Sequence, residues 1–238
     1  MAHILDCTTR DGGHQTNWTF SDEYVFDLMQ NLINNNVLYY EIGYRNFFDK
    51  DDKGPFYYCT SQFLEKFTFQ KSNLQMGVMV DVKRYLEDDF TGAQFDNIEF
   101  VRVAAHPDEI EQSLRIAKNL YDRGYKVFVQ LMDISNVGVD GYISLLKWEY
   151  KSILESIYIV DSFGTLQSCD VENYYNKLRT LGYEKISFHG HNTIGKALDN
   201  SLRAVEIGAF SIDTTQDGIG RYGGNLNLSD LLNLTTFS

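Results

Sequence analysis

The sequence predicts a (β/α)8 TIM barrel, α/β in class and folded as one domain over residues 1–238. Eight short β-rich runs alternate with longer amphipathic ones, no Pro/Gly/Ser linker interrupts the series, and polar clusters fall just past the ends of strand candidates. That combination is the pattern of parallel βαβ units closed on themselves, with chemistry at the C-terminal ends of the strands. A doubly wound open sheet is the alternative. Against it, neither a G-x-G-x-x-G nor a G-x-x-x-x-G-K-[ST] loop follows the first strand.

The strand candidates run His3 to Thr9, Tyr39 to Tyr44, Gln75 to Val82, Glu99 to Ala104, Lys126 to Met132, Ile157 to Asp161, Lys185 to His189 and Phe210 to Thr214. Between them, three-to-four-residue apolar spacing predicts helices over Asp22 to Asn34, Pro55 to Phe67, Asp108 to Arg123, Gly141 to Leu154, Val171 to Leu181 and Gly195 to Ile207. The third unit offers only a short Lys83 to Asp88 stretch. Ser21 before Asp22 and Glu23 reads as an N-cap, Pro107 marks a helix entry, and Gly124, Gly182 and Gly208 follow helix ends. The last helix begins near Leu228, and a barrel of this length has a short eighth helix and leaves no room for accessory domains.

Composition narrows the function classes. Lys plus Arg number 21 against 33 for Asp plus Glu, a net charge of -12 that repels a phosphate backbone or an anionic bilayer. No nucleic acid and no membrane are therefore expected as partners. Cys7, Cys59 and Cys169 are too few and too scattered for a disulfide framework, which suits a reducing, cytoplasmic setting. No apolar run approaches the roughly 18 residues of a membrane span.

Chemistry gathers at two strand ends. The first strand exits through Asp6-Cys7-Thr8-Thr9-Arg10-Asp11-Gly12-Gly13-His14, a guanidinium, a carboxylate and an imidazole followed or spaced by flexible glycine. Taken alone, this also reads as a surface turn with an Arg–Asp ion pair. The seventh ends His189-Gly190-His191-Asn192; residues two apart share a face of a strand, so both imidazoles can bind one divalent ion, with a carboxylate as third ligand. After the eighth strand comes a Gly-rich stretch, Gly218-Ile219-Gly220-Arg221-Tyr222-Gly223-Gly224-Asn225. The aromatic pairs Tyr39-Tyr40 and Phe47-Phe48 and the run Phe56-Tyr57-Tyr58 suit core or helix-face packing. Tyr44 ends the second strand beside the site and is a candidate to line the substrate pocket.

These segments, with Glu41-Ile42-Gly43-Tyr44, Val160-Asp161-Ser162-Phe163-Gly164 and Asn200-Ser201-Leu202, together resemble the metal-dependent superfamily that includes 4-hydroxy-2-oxovalerate aldolase, hydroxymethylglutaryl-CoA lyase and 2-isopropylmalate synthase. The resemblance spans essentially the whole chain. It implies Asp11, His189 and His191 as ligands of Mn²⁺ or Mg²⁺, Arg10 as stabiliser of an enolate oxygen and His14 as general base. It also implies Ser162 as a contact for the oxo-acid carboxylate and Asn225 as a further ligand or supporting group. Gly13-His14 in place of the synthases' Glu-Gln pair, and Arg221-Tyr222 in place of the lyases' loop cysteine, resemble the aldolase branch most closely. Thr9 for the usual leucine and Thr193 for the usual acidic residue depart from the pattern. The implied activity is formation or cleavage of a C–C bond through the enolate of pyruvate or a related 2-oxo acid, with an aldehyde as the other partner and a homodimer as the assembly. An acyl-CoA-dependent condensing synthase and a catalytically silent barrel acting as a binding subunit are the alternatives.

Overall fold

A computed structural model describes residues 2–46, 52–67, 72–142 and 147–234. Eight parallel strands close into a barrel in sequence order: β1 (His3–Asp6), β2 (Tyr39–Tyr44), β3 (Gln75–Asp81), β4 (Phe100–Ala105), β5 (Lys126–Leu131), β6 (Leu154–Asp161), β7 (Ile186–Gly190) and β8 (Ser211–Thr214). β8 pairs back onto β1 from His3↔Ser211 to Asp6↔Thr214, which shuts the sheet and removes its edges. The predicted barrel is the observed one.

Strand one is shorter than its apolar run suggested. The Asp6 carboxylate accepts the Thr8 backbone N–H at 2.9 Å and the Thr8 hydroxyl at 2.9 Å, and this local capping turns the chain into the helical turns α1 (Thr8–Asp11) and α2 (Gly13–Thr16). Cys7 to Thr9 therefore leave the predicted strand. The consequence is functional: Arg10 and Asp11 both come from a tight turn rather than from alternating faces of a strand.

The longer helices follow their predicted faces. α3 (Asp22–Asn34) is capped by Ser21 Oγ, which accepts from Tyr24 N at 3.2 Å, and buries Val25, Leu28, Met29 and Leu32. Pro55 to Phe67, however, is not one helix: 3₁₀ turns at Pro55–Tyr57 and Glu65–Phe67 flank the short α4 (Ser61–Leu64), because Cys59 takes a left-handed φ of 35° and breaks the run. The Lys83 to Asp88 stretch resolves into two 3₁₀ turns, Val82–Arg84 and Glu87–Asp89. α5 (Ile110–Asp122) covers β4 and β5 as expected.

Gly141 to Leu154 is the clearest miss. α6 (Ile134–Val137) ends at Gly138, whose φ of 63° stops it, and 3₁₀ turns occupy Val139–Tyr142 and Lys151–Ile153; residues 143–146 lie outside the described residues. Leu154 and Ser156, assigned to or beside that helix, instead pair with Val127 and Phe128, so β6 begins three residues early and tertiary pairing overrides local periodicity. α7 (Ser168–Thr180) starts with a capping box between Gln167 and Asp170, α8 (Ala197–Glu206) follows β7, and α9 (Leu228–Leu234) begins where the sequence placed it.

The barrel lumen is layered. Near the strands' N-terminal ends it is aromatic, with Tyr39 5.5 Å from Phe100 and 5.4 Å from Phe128 between ring centroids. Tyr39, Tyr40, Phe56 and Tyr57 are buried, as the bland reading of those runs required, while Phe47 and Phe48 lie outside the described residues. One level higher the lumen becomes ionic, and above that lies the site. Cys7, Cys59 and Cys169 are free thiols, and among the described residues no helix is long and apolar enough to cross a membrane.

Candidate active site

Two structural features build the site. His189 lies near the end of β7 and His191 just past it, bridged to Asn225, and across Gly190 their Nε2 atoms meet at 3.3 Å. Across from them the α1 turn delivers Asp11, whose Oδ2 lies 3.9 Å from His191 Nε2. One ligand atom from each of Asp11, His189 and His191 falls within 4.8 Å of the others, all three residues being buried.

The imidazole tautomers are set from behind. His189 Nδ1 faces Asp213 Oδ2 at 2.8 Å, and His191 Nδ1 faces the Gly224 carbonyl at 3.3 Å. With each Nδ1 proton donated to an oxygen, both Nε2 lone pairs point at each other and at a carboxylate. Such an arrangement repels itself unless a cation lies between, and the carboxylate behind His189 is the usual orienting partner of a metal-bound histidine. Burial, then the neighbouring His189, drops the His191 pKa to about 3, which keeps it a neutral ligand. A second cluster, Cys7 with His189 and Asp213, fits a cation less well because burial pushes the Cys7 thiol far up.

Arg10 binds this centre to the lumen. Its Nη1 donates to Asp11 Oδ1 at 2.6 Å and its Nε to Glu41 Oε2 at 2.6 Å, while Nη2 makes no hydrogen bond among the described residues. Glu41 also accepts from Arg102 Nη1 at 3.1 Å, and Arg102 Nη2 reaches Gln130 Oε1 at 2.9 Å and Asp213 Oδ2 at 2.5 Å. Asp213 returns the chain to His189. Asp11, Arg10, Glu41, Arg102 and Asp213 thus form one buried relay of three carboxylates against two guanidiniums, an excess of negative charge beside the histidines that favours a cation there. Burial works to raise the Asp11 and Asp213 carboxyls, but Arg10 beside one and Arg102 beside the other hold both below their ordinary range.

Asn225 supports the same point. Its Nδ2 donates to Asp11 Oδ2 at 2.5 Å and to the Ile219 carbonyl at 2.9 Å, while Oδ1 is buried without a hydrogen-bond partner among the described residues. Gly220 lets it in: a Cβ there would stand 1.9 Å from Asn225 Nδ2 and 2.6 Å from Asp11 Oδ2.

Above the cluster opens a cavity of about 450 Å³, lined by His14, Tyr44 and Ser162 and roofed by Tyr222 of the Gly-rich stretch. The Tyr222 ring stands 5.9 Å from that of His191 and 5.6 Å from that of Phe163. His14 projects from α2 with its ring 4.6 Å from Trp18 and 6.5 Å from Tyr44. Desolvation against these rings, then the Arg221 cation, shifts its pKa below the ordinary imidazole value while the side chain stays exposed, which favours the neutral, proton-accepting form at pH 7. Ser162 Oγ accepts the Asp133 N–H at 2.9 Å, leaving its hydroxyl proton for another acceptor.

Every site residue expected from the sequence lies in the cluster or on the cavity above it. Arg102 and Asp213 were overlooked, and Glu41 was seen only as part of a motif. A signal existed: charges inside buried strands, Val101-Arg102-Val103 and Ile212-Asp213-Thr214, are too costly to bury unless paired.

The HMGL-like family profile matches residues 74–236. The chain belongs to the HMGL-like family. It therefore falls in the pyruvate aldolase/lyase superfamily and is an enzyme of the carbon–carbon lyase kind. Over 232 residues it is 26% identical to oxaloacetate decarboxylase of Mycobacterium tuberculosis, covering 96% of this chain and 68% of that protein. Over 227 residues it is 26% identical to 4-hydroxy-2-oxovalerate aldolase of Carboxydothermus hydrogenoformans, covering 93% and 67%. The crystal structure of the N-terminal domain of a candidate aldolase from Bacteroides vulgatus superposes with a TM-score of 0.88 at 30% identity, over 98% of this HMGL-like chain and 78% of that one.

Proposed function

We propose that the protein makes or breaks the C3–C4 bond of a 4-hydroxy-2-oxo acid through the enolate of pyruvate or a close relative. The convergence of two oriented Nε2 lone pairs and the Asp11 carboxylate, with Arg10 bonded to that carboxylate, carries the reading. A divalent cation, Mn²⁺ or Mg²⁺, held by Asp11, His189 and His191 supplies Lewis acidity toward the oxo acid. In the cleavage direction, neutral His14 accepts the proton of the 4-hydroxyl. The C4–O pair becomes the aldehyde carbonyl, the C3–C4 bond breaks, and its electrons move into the enolate. Arg10 meets the charge growing on the enolate oxygen, where a fixed buried donor lowers the barrier by about 3 kcal/mol. The proton on His14 then passes to C3, giving pyruvate.

Ser162 offers its hydroxyl to the oxo-acid carboxylate, Tyr44 closes the wall beside His14, and Asn225 holds Asp11 in place or lends Oδ1 as a ligand. The same enolate arises from aldol cleavage and from loss of CO₂ from a 2-oxo diacid, so the names of both relatives are compatible with this site. Pyruvate release from 4-hydroxy-2-oxovalerate, followed with and without chelator, tests the proposal. Release should stop when the metal is removed and return on adding Mn²⁺. Activity that survives complete metal removal, or a His14→Ala variant as fast as the wild type, overturns it.

A further inference from the structure

Two cations flank His14 that the reaction just described does not use. Arg221 approaches from the Gly-rich stretch, with Nε 3.6 Å from Asp11 Oδ1, its one ion pair among the described residues. That Nε is buried and has no hydrogen-bond partner among them. Lys53 comes from the other side, its Nζ 5.6 Å from the Trp18 ring centroid, and Trp18 is the ring that packs on His14. Lys53 makes no ion pair among the described residues, and both side chains line the cavity.

The cavity's carboxylates make their close contacts with other groups. Asp81 accepts from Asn46 Nδ2 at 3.1 Å and stands 3.8 Å from Arg84 Nη1. Asp133 accepts from Asn136 Nδ2 at 2.7 Å. Both are already partnered within their own wall. Arg221 makes its close pair with Asp11 and feels Asp81 only across the cavity, and Asp11 belongs to the proposed cation site: with that carboxylate turned to a divalent ion, the Arg221 guanidinium keeps no counter-charge in contact.

His14 fixes what lies there. If it handles the proton of the 4-hydroxyl, the substituent on that carbon projects between Arg221 and Lys53. We propose that this substituent is anionic, so that the aldehyde made or used by the enzyme carries a carboxylate or a phosphate held by Arg221 and Lys53. The proposal rests on the aldol reading above. In the condensation direction it is balanced without another reactant: the pyruvate C3 proton leaves to His14, C3 bonds to the aldehyde carbon, and the carbonyl oxygen takes that proton back.

The test pairs neutral and anionic acceptors of similar size against pyruvate and Mn²⁺: acetaldehyde with glyoxylate, and glycolaldehyde with glycolaldehyde phosphate. Exchange of the pyruvate methyl protons in D₂O is followed by NMR as a separate readout of enolate formation. The wild type should favour one anionic acceptor over its neutral partner by about 10- to 100-fold in kcat/KM, the range for one or two charge-assisted hydrogen bonds. Which pair shows the preference separates carboxylate from phosphate. Arg221→Gln and Lys53→Met should each shrink that ratio, mainly through the KM of the anionic acceptor, and Arg221→Lys should restore part of it. Methyl exchange with no preference for either anion, or a preference untouched by both variants, overturns the proposal while leaving the aldol reading standing. Absence of methyl exchange in the metal-loaded wild type overturns both.

Discussion

Replacing His191 by Gln should flatten the acid limb of the metal-free protein's stability. In the fold, burial and the adjacent His189 ring hold the His191 pKa at about 3, against about 6.5 in an unfolded chain. Between those values the unfolded state binds the proton and the folded state does not, so stability rises with pH across the window and is lost as pH falls through it. From pH 8 down to pH 5 the unfolded imidazole gains protonation free energy equivalent to about 1.5 pH units. At about 1.36 kcal/mol per unit, that is about 2 kcal/mol of lost stability. Urea unfolding with chelator present, at pH 8 and at pH 5, measures it. The wild type should lose about 2 kcal/mol more than His191→Gln between the two conditions, since the other titrating groups are common to both chains and cancel to first order. Equal losses would refute a His191 imidazole held neutral by burial against its partner histidine.

Three further outcomes follow from the same buried centre. Mn²⁺ at about 100 times its dissociation constant should stabilise the fold by about 2.7 kcal/mol, a rise of about 5–11 °C in Tm for a chain of this size. Gly220→Ala, whose Cβ would displace Asn225 and Asp11, should erase that rise in the same thermal melts. Glu41→Gln removes the charge that Arg10 and Arg102 share and should cost about 3 kcal/mol in denaturant unfolding, with a fall in kcat larger than any change in KM, since Arg10 then loses its fixed aim.

The fold was legible because its signals are local and repeated. β2 matches its predicted bounds of Tyr39 to Tyr44, and α3 matches Asp22 to Asn34, since a capped amphipathic run and a short β-rich run dense in aromatics each announce themselves locally. Misreadings came where a neighbour in space outweighed a neighbour in sequence. Leu154 carries a helical spacing from Gly141, yet the β5 backbone at Val127 claims it for the sheet. Cys59, with its left-handed φ, divides a run whose composition alone says helix.

The site was legible in its ligands and not in what aims them. His189-Gly190-His191 advertises itself because two imidazoles with period two can only share a face, and Asp11 stands out by its place at a strand exit. What orients them is spread over Glu41 on β2, Arg102 on β4 and Asp213 on β8, residues 41 to 213 in sequence that meet only when the barrel closes. No short window contains two of them. Their physical trace is instead a deficit: each is a charge inside a buried strand, and a lone buried charge is unstable enough that its presence implies a partner elsewhere. In a closed parallel barrel each lumen layer is built from alternate strands, so mid-strand charges of opposite sign on the even strands β2, β4 and β8 are drawn to the same layer. Glu41, Arg102 and Asp213 satisfy that rule, and Arg10 joins them only because the Asp6–Thr8 cap pulls the end of β1 into a helical turn and swings the guanidinium back over the lumen. The position of Arg10 is thus a consequence of where strand one stops.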